Sequence, residues 1–153
     1  MTDELIATAS RLAVASGKTP RQADLKRAVS TAYYALFHAI ARECADLIAG
    51  AGRNRADAAW ARVYRGVEHG FAKRACGQVR GLGFPPTICA CADAFVVLQE
   101  ARHSADYDPN HRVSRTDALA AITTADQAIR DLRATPRKTR RAFAIQLLVR
   151  SRT

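Results

Sequence analysis

The stretch RAVSTAYYALFH, from Arg27 to His38, decides how this chain folds. Each residue of an α-helix advances by about 100°, which places Arg27, Tyr34 and His38 within roughly 20° of one another. The apolar residues of the stretch and of the following turn fall on the opposite side: Val29, Tyr33, Leu36 and Ile40. The spacing therefore predicts a helix with one face in a core and one polar face.

A second polar pair lies near the end of another apolar helical pattern, between Ala101 and Pro109. Arg102 and Asp106 are four residues apart there, so that they lie on one helix face. That face continues the apolar stripe of the same helix, and a buried guanidinium or carboxylate needs a partner. The simplest interpretation is an ion pair that braces a helical bundle.

The alternative interpretation joins this pair to Arg27, Tyr34 and His38 in one cluster that can hold a phosphate and move a proton. Metal-free cleavage of RNA needs a base for the 2′-hydroxyl proton and a cation for the charge that builds on the phosphate. Histidine and arginine fit those two roles. The residues alone favour the bracing interpretation over the catalytic one.

The composition indicates one all-α domain. The chain has 153 residues, of which 48% are apolar, and alanine and leucine are abundant whereas aromatic residues make up only 7%. Periodicity, caps and breaks predict four to five main helices plus a short C-terminal helix. The bundle would occupy residues 1–135, and residues 136–153 would form a basic C-terminal helix or tail.

The predicted main helices cover residues 2–16, 21–49, 56–76, 86–108 and 115–132. Ser114 is the expected cap of the last of these, and a glycine- and proline-rich loop is expected over 77–86. The third helix would carry Trp60, Val63, Val67 and Phe71 at helical spacing. The expected buried line of the last main helix is Leu119, Ile122, Ala125 and Ile129.

Positive charge is concentrated in two parts of the sequence. The formal net charge is +10, residues 51–85 hold seven Lys or Arg against two acids, and the chain after Arg133 holds six more and no acid. Such polarity favours contact with nucleic acid or an acidic protein, although an arginine-rich chain can also be merely well solvated. The C-terminal segment could cover the bundle, pair with a partner or contact nucleic acid.

The cysteines and the hydropathy pattern indicate a cytoplasmic protein without membrane contact. The four cysteines form no C-x-x-C pair, and there is no signal peptide or long apolar run. Cys89 and Cys91 could join His69 around a metal, but small buried thiols are the favoured interpretation. We therefore expect no metal and no cofactor.

Taken together, Arg27–His38 and the segment RHSADYD, Arg102–Asp108, resemble the HEPN domain superfamily, in its bacterial branch with an AYYAxFH helix and an R-x-x-A-D-Y signature. The resemblance covers roughly Leu5 to Leu132. It implies an up-and-down helical bundle that forms a homodimer, with the arginine-bearing helix ends of two subunits meeting in a cleft. Many members are metal-independent ribonucleases, often toxins of toxin-antitoxin or phage-defence modules with a nucleotidyltransferase-like antitoxin, and others are noncatalytic binding modules.

The chain departs from the family in one respect. Nuclease members carry R-x(4 to 6)-H, but here the three positions that would hold the histidine are Tyr107, Asp108 and Pro109. The resemblance implies Arg102 as the phosphate-facing residue. The base would be His111, just past the turn, or His38 from the long helix.

The sequence thus predicts an RNA-cleaving cleft in a homodimer. The predicted catalytic residues are Arg102, Asp106 and His111, and the supporting or substrate-binding residues are Arg27, Tyr34, His38, His103 and Tyr107. By resemblance, Tyr107 is a candidate acceptor of a nucleotide from the partner enzyme, although a buried tyrosine bonded to the bundle is the favoured interpretation. The alternative function is that of a noncatalytic module that binds a nucleotidyltransferase or nucleic acid. A third hypothesis, a plain DNA-binding helical protein, has less support, since no helix-turn-helix is recognisable.

Overall fold

A computed structural model describes residues 1–152, and in that range the chain contains helices and no strand. Helices α1, α2, α5 and α6 form the body of the bundle, and three shorter helices pack around it. The bounds are α1 Thr2–Val14, α2 Gln22–Ala49, a 3-10 turn Gly52–Asn54, α3 Asp57–Gly66, α4 His69–Cys76, α5 Pro86–Tyr107, α6 Arg115–Ala134 and α7 Arg137–Leu148. The predicted all-α bundle is confirmed. None of the helices within 1–152 combines the length and the apolarity that crossing a membrane requires.

Helix α2 is the central rod, and it packs against α1, α3, α5, α6 and α7. The face that the sequence predicted to be apolar is buried, and its residues include Val29, Tyr33, Leu36 and Ile40. The helix ends at Gly50, whose φ is +89° and where a Cβ would lie 2.6 Å from the Asn54 carbonyl oxygen. Only glycine fits this stop, because a side chain there would be strained and would clash.

Helix α5 begins with Pro86 at its first turn, where the missing N–H costs no helical hydrogen bond. Its inner face buries Ile88, Cys91, Phe95 and Leu98 before it reaches Arg102. All four cysteines of the chain are buried free thiols, as predicted. Burial raises the pKa of Cys44 and of Cys91 to about 12, so these thiols stay protonated at neutral pH.

The predicted third helix over residues 56–76 is wrong in one respect, because the structure divides it into α3 and α4. Val67 and Glu68 have extended backbone, and the Glu68 carboxylate accepts hydrogen bonds from the backbone N–H of Gly70 and Phe71. A side chain that caps these amides starts a new helix at His69. The break turns His69 toward α2.

Helix α6 begins where the sequence predicted, but one of its predicted core residues is not buried. Ser114 caps the helix through a reciprocal capping box with Asp117, as expected. Leu119, however, is 42% exposed, because Ala118 and Ala121 occupy the inner face on either side of it. The prediction selected the large residue, whereas the close approach of α6 to its neighbours requires small ones.

Helix α7 lies against α2 and α4 and buries Phe143, Ala144 and Leu147. Arg140 points inward, where its guanidinium pairs with Glu43 of α2 and donates to the Thr135 carbonyl oxygen at 2.8 Å. The residues Arg137, Lys138 and Arg141 are exposed. The basic segment is therefore helical from Arg137 to Leu148, with an apolar face on the bundle and a charged face in solvent.

We predict that Ser114→Ala lowers the free energy of unfolding by about 1 kcal/mol, because it removes the acceptor for the Asp117 amide. Urea denaturation of the wild type and the variant measures the change. Thr116→Ala, at an exposed position of the same first turn, is the matched control and should shift stability by less than about 0.5 kcal/mol. Equal losses in both variants would contradict the role of the cap.

Candidate functional site

Arg102, in the last turns of α5, reaches across to α2. Its Nη2 donates a hydrogen bond of 2.9 Å to the Tyr34 hydroxyl, and its Nε lies 2.9 Å from Asp106 Oδ2. The Nε–H bond does not point at the carboxylate, so that this contact is ionic and Nε has no hydrogen-bond partner among the described residues. The side chain is only 16% exposed. The predicted ion pair is present, and the buried Nε–H of the guanidinium makes no hydrogen bond among the described residues.

Asp106 uses both of its carboxylate oxygens in this cluster. Its Oδ1 accepts a short hydrogen bond from the Ser30 hydroxyl of α2, while its Oδ2 faces Arg102. Ser30 thus extends the cluster beyond the residues that the sequence singled out. The carboxylate is still 30% exposed, so it is partly hydrated and less costly to leave unpaired than a fully buried one.

Three tyrosine rings surround the guanidinium. The Arg102 Cζ lies 5.3 Å from the centroid of Tyr34, 5.7 Å from Tyr33 and 5.6 Å from Tyr107. Burial acts to lower the pKa of Arg102, but the neighbouring Tyr34 and Asp106 outweigh it and raise that pKa, so the charge persists. The rings therefore hold a permanent cation in place.

Tyr107 corrects the favoured prediction of a buried tyrosine, because it is 63% exposed. It is the last residue of α5, and its ring centroid lies 5.0 Å from that of the exposed His103. At the end of the helix no neighbouring element covers it. His103 and Tyr107, two of the predicted supporting residues, thus lie on the surface beside Arg102.

His69 is the histidine that the sequence analysis did not place in this cluster. Its Nδ1 lies 2.5 Å from the Tyr33 hydroxyl, and its ring stacks on Phe37 with centroids 4.0 Å apart. Its pKa is lowered by burial and by the Arg102 charge, so it is neutral at pH 7. Burial also raises the pKa of Tyr33, which keeps its proton. Arg102 and His69 thus share the same pair of tyrosines.

His38 has a different partner from the one the sequence suggested. Its Nδ1 lies 2.5 Å from the Tyr64 hydroxyl of α3, and burial lowers its pKa. The ring stacks between Tyr34 and Tyr64, with centroids 6.0 Å and 5.9 Å away, and Trp60 continues the stack at 5.1 Å from Tyr64. His38 is therefore tied to α3, on the side of Tyr34 away from Asp106.

The cluster borders an open groove of about 530 Å³ between α2 and the end of α5. Two of the residues that line it, Tyr34 and Asp106, are the direct partners of Arg102. Lys26 and Arg27 supply positive charge along the same wall, and Arg27 is exposed. The predicted line of Arg27 and Tyr34 along α2 thus forms one wall of a basic groove.

The structure does not bring His111 to Arg102 within the single chain. His111 is half-buried beyond the turn at Pro109, and its backbone N–H donates to the Asp108 carbonyl oxygen at 3.2 Å. In the part of the chain that the structure describes, none of the polar or ring contacts of Arg102 involves His111. Within residues 1–152, no three His, Cys, Asp or Glu side chains are grouped to hold a metal ion.

We predict that Asp106→Ala lowers the free energy of unfolding by about 1 to 2 kcal/mol, because it removes the partner of a largely buried guanidinium. Asp126→Ala is the matched control, since Asp126 forms the equivalent i,i+4 pair with Arg130 on the surface of α6. That loss should stay below about 0.5 kcal/mol. Urea denaturation measures both, and equal losses would show that the Arg102 pair is an ordinary surface pair.

The fold should lose stability when the pH falls below about 6.5. The pKa values of His38 and His69 lie below their ordinary 6.5 in the folded chain, so the unfolded chain binds more protons there and ΔG of unfolding decreases toward pH 5. Thermal unfolding of the wild type at pH 7.5 and at about pH 5.5 tests this. The double variant H38Q/H69Q should lose less on acidification, and H103Q, at an exposed site, should follow the wild type. Parallel losses in all three would contradict it.

Comparisons of the chain with protein-family models, with curated proteins and with solved structures find no match. The HEPN assignment therefore rests on the two motifs around Tyr34 and Arg102, and it stays a prediction.

Proposed function

We propose that this protein is a HEPN-type, metal-independent ribonuclease that binds RNA in the groove between α2 and α5. The observation that carries the proposal is that Arg102, a permanent cation, is held by two polar partners, Tyr34 and Asp106, which both line a basic groove. A phosphate oxygen is the acceptor that a guanidinium binds best, once the side chain turns toward the groove that its partners line. Lys26 and Arg27 would hold the flanking phosphates.

In this reaction the 2′-oxygen of a ribose attacks the adjacent phosphorus to form a 2′,3′-cyclic phosphate. The bond from phosphorus to the 5′-oxygen of the next nucleotide breaks, and that oxygen leaves as a hydroxyl, with a proton from the protonated histidine or from water. Arg102 would turn from Asp106 to the phosphate and stabilise the charge on its oxygens. A neutral histidine must take the 2′-hydroxyl proton. Within one subunit, His69 is the histidine that shares tyrosine partners with Arg102, and its Nε2 would be the accepting atom in the tautomer in which Nδ1–H donates to the Tyr33 hydroxyl oxygen. His111 would serve only if a second subunit brings it to the cleft.

The biological setting follows from the resemblance and belongs to the proposal. The protein would act in the cytoplasm as a homodimer, as the toxin of a toxin-antitoxin or phage-defence module, with a nucleotidyltransferase-like antitoxin as its partner. The net charge of +10 supports association with RNA by long-range attraction. Exposed Tyr107, beside Arg102, would be accessible to such an antitoxin.

The purified protein should cut structured RNA in the presence of EDTA, as followed on denaturing gels. Arg102→Ala should lower the rate by at least about 100-fold, because it removes the cation that stabilises the charged phosphate. H69Q should lower it by about 10-fold or more. Arg130→Ala, which removes a surface arginine of α6, is the control and should cut like the wild type. Uncut RNA with the wild type, or equal cutting by Arg102→Ala, would refute the proposal.

A second function has its own support. Arg102 is already engaged by Tyr34 and Asp106, and no histidine contacts it directly in the described part of the chain. Under this alternative the cluster braces a noncatalytic module that binds a nucleotidyltransferase or nucleic acid. RNA that shifts in a gel but stays intact with the wild type, together with an Arg102→Ala variant that loses stability, would favour this function over the ribonuclease.

A further inference from the structure

The structure brings the two basic parts of the sequence together on one face of the bundle. Helix α4 belongs to the basic segment 51–85 and α7 to the basic C-terminal segment, and the two helices pack against each other. Between them lies a groove of about 480 Å³, here called the α4/α7 groove. It is defined by Phe71, Arg74, Leu82, Gln146, Val149 and Arg150. The sequence of either segment alone does not reveal that the two helices are in contact.

The α4/α7 groove exposes aliphatic side chains from both sides. Leu82, in the turn after α4, is 59% exposed, and Val149, at the end of α7, is 60% exposed. A hydrogen bond of 3.1 Å from Gln146 to Gln78 joins the two sides. Large aliphatic side chains that stand together in a concave surface, between polar groups, are typical of a protein-binding site.

Arginines without carboxylate partners flank these aliphatic side chains. In the described part of the chain, Arg74 and Arg150 form no ion pair, and Arg150 lies 5.2 Å from the centroid of Phe71. Glu68 is close enough to feel both charges, but its two oxygens accept the backbone N–H groups of Gly70 and Phe71. The arginines therefore remain available to acidic groups from another molecule.

We infer that the α4/α7 groove binds an acidic segment of a partner protein. Aliphatic side chains of that segment would pack against Leu82 and Val149, and its carboxylates would pair with Arg74 and Arg150. Charge complementarity selects an acidic occupant. The exposed aliphatic residues favour a protein over RNA, because Phe71, the one aromatic ring among the lining residues, is half-buried and already has Arg150 beside it. This inference is independent of the proposed ribonuclease activity, since the α4/α7 groove shares no residue with the groove between α2 and the end of α5.

Fluorescence anisotropy with the full chain tests the inference. The probe is a fluorescein-labelled peptide of about twelve residues with leucine and glutamate at helical spacing. We expect saturable binding, and at least about tenfold weaker binding when serine replaces the leucines of the peptide. Arg74→Glu, Arg150→Glu and Leu82→Ser should each weaken the binding of the original peptide by about tenfold or more. Arg133→Glu, an equal charge change at an exposed site of α6, should leave it unchanged.

Four results would overturn the inference. The first is no binding of the leucine–glutamate peptide, and the second is an equal loss with Arg133→Glu, which would indicate only net charge. The third is tighter binding of a single-stranded RNA of similar length that the same groove variants abolish, because the face would then bind nucleic acid. The fourth is a change of sedimentation coefficient with Leu82→Ser alone, which would mean that a second copy of the chain occupies the groove. Circular dichroism confirms that each exposed-site variant is folded.

Discussion

A guanidinium at the inner end of an apolar helix must be either hydrated or paired, and the packing of α2 against α5 depends on how Arg102 is paired. Tyr34 accepts one of its hydrogens and Asp106 supplies the opposite charge. Ser30 then donates to that same carboxylate, so two residues of α2 fix the end of α5 through one cation. A change in the register of either helix would separate these groups, and a desolvated charge would then lack compensation. The ionic cluster therefore sets the alignment that the apolar contacts alone would leave less specific.

Under the proposed ribonuclease function, structural support and phosphate binding would compete for the Arg102 side chain. Asp106 holds Arg102 when the groove is empty, and a bound phosphate would have to replace the carboxylate. Partial hydration of Asp106 makes such an exchange feasible, since a carboxylate near water can be released at moderate cost. The basic wall formed by Lys26 and Arg27 would favour the arrival of the anion. Under the proposed function, structural support and phosphate binding would thus use the same charge at different times.

Much of the fold was predictable because its signals are local. The ends of α1, α2, α5 and α6 lie within two residues of the sequence prediction, as periodicity, a proline, a glycine stop and a serine cap mark them. The prediction failed where neighbouring elements decide. Glu68 caps the start of α4 and so divides a segment that the periodicity predicted as one helix. Leu119 is exposed because the close packing of the helices places alanines on the inner face of α6. Size and periodicity cannot reveal how closely a partner helix approaches.

The site was predictable only in part, for the same reason. Arg102 and Asp106 follow from a four-residue spacing, and the polar face of α2 presents Tyr34 to them. His69 could not be found in this way, because it meets Tyr33 only through the path of the chain between α2 and α4. Its one sequence signal was the acidic residue before it, and that signal is recognisable only once the helix break is known. Contacts between distant segments depend on the tertiary path.

The four enclosed cysteines have a practical consequence. Their thiols are shielded from solvent, and high pKa values keep Cys44, Cys76 and Cys91 from forming thiolates. An alkylating reagent reacts with the thiolate, so it can modify them only when the surrounding helices separate. The rate of alkylation would then report how often the bundle opens. Because the cysteines lie in α2, α4 and α5, their alkylation rates would report the opening of each of these helices.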